Sequence, residues 1–174
     1  MSAIRERLAR GREDEGFTLI ELMVVVLIIA ILIAIAIPTF LGARKRAQDK
    51  QAQSNIRIAL ATEETVYTDN QQYTATVATL QAEEGSLVWK TGLAVVVAGA
   101  SREVAVEAVD GTSQGVVLKS WSASGTLFCL LDIQSTLAAA FYGQTLAGTY
   151  YGKATGVLNN ADCTAAGVTW SSAW

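Results

Sequence analysis

A chain of 174 residues is long enough to bury a core and normally makes one domain, here with a net charge of −3 and no histidine. The acidic balance gives no overall signal for polyanion binding, and the missing histidine removes His-based triads, His metal sites and His proton shuttles. The hydrophobic fraction of 51% is concentrated: Leu22 to Ile37 contains no polar residue, whereas the remainder alternates like a water-soluble domain.

Residues 1–15 carry Arg5, Arg7, Arg10 and Arg12 against Glu6, Glu13, Asp14 and Glu15, and read as a polar leader that adds nothing to a fold. From Phe17 to Leu41 the chain is apolar, and as a helix at about 1.5 Å per residue it spans roughly 37 Å, enough to cross a hydrocarbon core of about 30 Å. A secretory signal would be shorter and would not hold Glu21 inside its apolar core. A plain membrane anchor fits the length and leaves Glu21 without a role. The positive-inside rule does not fix orientation, because four arginines precede the run and Arg44, Lys45, Arg46 and Lys50 follow it.

Past Pro38 and Gly42 the polar segment still reads as helix. Ala52, Ile56, Ala59, Glu63 and Val66 recur at three- and four-residue steps, with Leu60 and Tyr67 widening the stripe. Pro38 and Gly42 predict a kink or local melting, since proline removes a backbone donor and crowds the preceding turn. The helix is expected to stop near Asp69 and Asn70. Thr74 to Gly85 reads as a connector with a short helical turn.

From Leu87 the period falls to two. LVWK, LAVVV, EVAVEAV, GVVLKSWSA and TLFCLLDI are β-rich runs separated by AGAS, DGTSQG and SASG, which predicts an antiparallel meander of about four strands. Val104, Val106 and Ala108 are expected on a core formed with the amphipathic helix, and Glu103, Ala105 and Glu107 in water. Gln134 to Gly143 reads as a short helix, and the glycine-rich remainder as a loop. Cys129 and Cys163, far apart and without CxxC spacing, favour a structural disulfide in an oxidising compartment over a metal or redox site, with two unpaired buried thiols as the alternative. A bridge would place the C-terminal part outside the cytoplasm.

The stretch GFTLIEL, Gly16 to Leu22, with the apolar run and Pro38, resembles the N-terminus of type IV prepilins, in the superfamily that includes type II secretion pseudopilins. The resemblance covers Gly16 to about Leu41, with weaker support from YTDNQQY and the C-terminal cysteine pair. It implies an α+β pilin fold: a long N-terminal helix packed on a small antiparallel sheet, with a disulfide-tied C-terminal loop. It also implies a division into leader 1–16, filament-core helix 17–41, amphipathic half-helix 42–73 and head 74–174. A membrane-embedded prepilin peptidase would cut after Gly16 and methylate the new amino terminus at Phe17. Glu21 would then meet the amino terminus of a neighbouring copy and set axial register, gaining a partner only through processing and assembly. Asp14 and Glu15 stand where many family leaders carry lysine or arginine. The partners implied are further copies in a helical homopolymer, the peptidase, an inner-membrane assembly platform and, before assembly, the membrane. Arg44 to Lys50 offers DNA a local patch, but a headgroup or neighbour-subunit contact is the preferred reading.

No cofactor or metal is expected. After Asp132, Asp162 is the sole carboxylate side chain, too few for a hard-cation cage. GTSQG formally matches GxSxG, but that motif needs a strand-to-helix turn and a histidine base, so Ser113 is not expected to be catalytic. The expected role is that of a structural subunit of a type IV pilus rather than an enzyme, with a type II secretion or competence pseudopilin, or a membrane-anchored binding module, as the alternatives.

Overall fold

The computed structural model describes residues 16–92, 102–137, 139–155, 163–164 and 168–174. The leader and the LAVVV stretch therefore lie outside the described residues. The chain divides after Gly42 into two compact units.

Helix α1, Leu19–Asn70, runs through both without interruption. The expected local melting at Pro38 and Gly42 is absent. Proline removes a single N–H, and the Thr39 hydroxyl donates to the carbonyls of Ala36 at 2.9 Å and Ile35 at 3.2 Å, keeping this turn internally bonded. In the first unit the larger apolar side chains are bare, from 48% exposed at Ile29 to 88% at Phe17.

The second unit begins with the polar part of α1, whose buried stripe contains Ala52, Ile56, Ala59, Glu63 and Val66. At Gln71 the chain turns left-handed (φ 55°), and its N–H returns to the Tyr67 carbonyl at 2.7 Å, closing the last turn. A short helix α2, Val77–Glu83, follows in the connector.

Six strands form one sheet in the order β1 to β6: β1 Val88–Thr91, β2 Glu103–Val109, β3 Gly115–Trp121, β4 Thr126–Ile133, β5 Gly148–Thr155 and β6 Thr169–Ser171. The sheet is mixed rather than antiparallel, because β1 pairs parallel to β2. Parallel neighbours need a long connection, and the chain from Thr91 to Glu103 supplies about a dozen residues. The other pairings are antiparallel. Strands β5 and β6 fall where a loop was expected, and the described residues of 134–143 form no helix. Tyr142 (φ 50°) and Gly143 (φ 81°) instead make a tight turn bridging Phe141 to Gln144, the mirror-image turn that suits a hairpin.

The sheet has two cores. One face packs Val104, Val106, Val116, Leu118 and Leu130 against Ile56, Ala59 and Val66 of α1, with Tyr73, Leu80 and Trp89. The opposite face, expected in water, buries Ala105, Val117, Trp121, Leu127, Leu131 and Ile133 beneath Leu137, Cys163 and the partly buried Phe141, Tyr142 and Trp170. Every residue of β3 and β4 is therefore buried.

A bulge between Val106 and Ala108 interrupts the β2–β3 ladder, and Glu107 lies in it, buried rather than solvated. Its carboxylate meets Lys119 Nζ at 3.2 Å, both side chains at most 2% exposed. It also accepts the Cys163 N–H at 2.9 and 3.0 Å and the Tyr142 hydroxyl at 2.6 Å. One charge thus ties β2, β3 and two later segments together, while a disulfide joins Cys129 to Cys163 across a separation of 34 residues.

Candidate processing and assembly segment

Gly16 and Phe17 precede α1 in non-helical conformation. Among the described residues nothing lies within 4 Å of the position a Gly16 Cβ would take, and Phe17 is 88% exposed.

Thr18 caps the helix. Its hydroxyl accepts the Glu21 N–H at 3.2 Å, and Glu21 Oε2 accepts the Thr18 N–H at 2.9 Å and the Thr18 hydroxyl at 2.7 Å. This is a capping box, in which two otherwise orphaned N–H groups at the helix start are satisfied reciprocally. The expectation that Glu21 gains a partner only through processing and assembly is therefore overturned, because the single chain already gives it one. The signal was present in TLIE, which has the Thr-x-x-Glu spacing. Glu21 also sits in the first turn, where the helix dipole favours a negative charge.

The remaining sequence-marked residues fall outside this segment of the chain. Pro38 is inside the continuous helix and Gly42 closes the first unit. Cys129 lies mid-strand in β4, with Cys163 beside it. Ser113 (φ 57°) lies in the β2–β3 hairpin turn, and Asp110 accepts N–H bonds from Thr112, Gln114 and Gly115. No strand-to-helix elbow is formed there. Burial acts to raise the Asp110 carboxyl, but these N–H groups and the Thr112 hydroxyl outweigh it and hold the group below its usual range. Among the described residues no cluster of three metal-ligating side chains occurs.

A bare apolar helix headed by GFTLIE, and an α+β head with a mixed sheet and a C-terminal disulfide, define the chain as having a pilin-type fold. Residues 12–37 match the family model of the prokaryotic N-terminal methylation motif. The chain carries a type IV prepilin motif, and its relatives are type IV pilins and type II secretion pseudopilins.

It is 46% identical over 69 residues to the type IV wide pilus major component PilA4 of Thermus thermophilus, covering 40% of this chain and 53% of that protein. It is 40% identical over 60 residues to the type IV major pilin PilA of Myxococcus xanthus, covering 34% and 27%. The type II secretion system core protein G of Dickeya chrysanthemi is 36% identical over 66 residues, covering 37% and 42%. The matches thus span about half or less of these relatives' own length.

Proposed function

We propose that the chain is a structural subunit of a type IV pilus, cut by a prepilin peptidase after Gly16, N-methylated at Phe17 and polymerised through its apolar helix. The observation that carries this reading is the run Leu22 to Ile37, whose larger side chains all stand about half exposed or more directly behind GFTLIE. Such a surface is stable only in lipid or against other helices.

In this account residues 1–16 are the leader, 17–41 span the cytoplasmic membrane before assembly, 42–73 carry the amphipathic half-helix, which ends at Asn70, and 74–174 are the head outside. Pro38 and Gly42 are where the helix bends as it leaves the membrane. An assembly platform in the inner membrane extracts each subunit, and copies of the chain replace lipid around the helix.

Glu21 performs two successive jobs. In the single chain it closes the capping box, so its charge enters the membrane edge with local donors. A carboxylate at helix depth costs on the order of 2.5–3.5 kcal/mol by insertion scales, and less near an interface. In the filament it exchanges the Thr18 hydroxyl for the ammonium group of a neighbour's Phe17. A buried pair of this kind adds little net stability, yet leaving either charge unpaired is expensive, so it specifies register rather than adding affinity.

The second reading, a type II secretion pseudopilin, draws on the likeness to core protein G. Recovery from sheared surface filaments supports the pilus role, whereas confinement to the cell envelope supports the pseudopilin.

A further inference from the structure

We propose that Arg44, Lys45, Arg46 and Lys50 form a cationic collar that binds the headgroups of anionic phospholipids in the outer leaflet of the cytoplasmic membrane, holding the subunit at a fixed depth before assembly. This rests on the reading of residues 17–41 as the membrane span.

Three observations converge. First, the chain passes from Leu41, the end of the apolar run, to Arg44 in three residues of unbroken helix. A span through Leu41 delivers these side chains to headgroup level. Second, at about 100° per residue the four cations point to roughly 0°, 100°, 200° and 240°, so no sector wider than about 120° lacks one. A docked protein touches one side of a helix, whereas a membrane plane meets every side, so this distribution fits lipid. Third, all four residues are exposed, and the acid among them is engaged: the Ser124 hydroxyl donates to the Asp49 carboxylate. Lys50 Nζ donates to Gln53 Oε1 at 3.1 Å and retains its charge and two further N–H donors.

The positive-inside rule gives these cations no topological role, because the four that follow the apolar run are matched by four arginines before it. Anionic headgroups give them something to hold.

The test uses the full chain carrying Ala47→Cys, labelled with a fluorophore at that exposed helix position and reconstituted in vesicles. Quenching by shallow nitroxide-labelled phosphatidylglycerol is compared with quenching by the same label on phosphatidylcholine. Flotation of the vesicles first verifies insertion. The expected result is a preference for phosphatidylglycerol of at least about fivefold, equivalent to one fully engaged cation. That preference falls toward unity in the variant Arg44→Gln, Lys45→Gln, Arg46→Gln, and in high salt with the parent chain. An inserted chain with no lipid preference overturns the collar, as does a triple variant that keeps the full preference. Salt-dependent binding of duplex DNA by the inserted chain without a lipid preference also overturns it, in favour of nucleic acid. Failure to float with the vesicles overturns the span itself, and the collar with it.

Discussion

Glu63 occupies the core stripe of α1 with no exposed surface. One carboxyl oxygen accepts the Thr74 N–H at 3.3 Å, and the other has no hydrogen-bond partner among the described residues. Burial, opposed only by the Thr74 bond, pushes the group up from 4.5 to about 7. Neighbouring acids add no compensation: burial and Asp132 raise Glu64 as well, and Asp132 is taken up by the Tyr73 hydroxyl at 2.5 Å and the Gln134 side-chain amide at 2.9 Å.

Because the folded value lies above the unfolded one, the native head holds this proton more tightly. The stabilisation is complete below about pH 4.5 and is lost as pH rises through about 7. A shift of about 2.5 units corresponds to about 3 kcal/mol in all, of which about 2 kcal/mol falls between roughly pH 5.5 and pH 8. Urea unfolding of the full chain in mild detergent, followed by tryptophan fluorescence, measures it. Glu63→Gln keeps an acceptor for Thr74 and removes the titration. The variant is expected to gain about 2–3 kcal/mol over the parent near pH 8 and to match it at the acid end. Equal pH slopes in parent and variant would refute the reasoning.

Three further outcomes follow from the head and the assembly segment. Glu107→Ala strands Lys119 in the core and removes the acceptor for Cys163 and Tyr142, costing about 3–5 kcal/mol; replacing Glu107 and Lys119 together by leucine costs less than the single change, as a denaturation cycle reads. Gly152→Ala places a Cβ 2.9 Å from Val168 Cγ1 and 3.2 Å from the Trp170 ring, so β6 must shift at a cost of about 1–3 kcal/mol, visible as a lower melting temperature. Glu21→Ala is expected to be processed at Gly16 yet to give few filaments; a normal filament yield by electron microscopy would remove its register role.

Much of this architecture was legible because it rests on local pattern. The stripe from Ala52 to Val66 has the helical period, and the described helix buries that stripe and ends at Asn70. The runs forming β2, β3 and β4 alternate or are continuously apolar, as half- or fully buried strands do.

What escaped depends on partners distant in sequence. The direction of β1 is set by its connection to β2, which periodicity does not encode. GTYYGKAT looked like a loop because of its glycines, but β4 pairs with it along its whole length, and its two tyrosines pack on opposite faces: Tyr150 toward the second core and Tyr151 toward the first. LAAAF read as helix, whereas Leu137 and Phe141 pack on the second core and Gly143 supplies a left-handed turn. A charge at Glu107 on an alternating strand reads as solvent-facing, and the later segments that cover it carry no mark of that role. In the assembly segment GFTLIE marks the site, and its Thr-x-x-Glu spacing encodes the nearer partner of Glu21, Thr18.

The most direct test of the pilus account is the intact mass, non-reduced and reduced, of the chain recovered from sheared cell-surface material. A chain that begins at methylated Phe17 and gains the mass of two hydrogens on reduction of Cys129–Cys163 is the predicted result. A chain that still begins at Met1, or one absent from the sheared fraction, would contradict it.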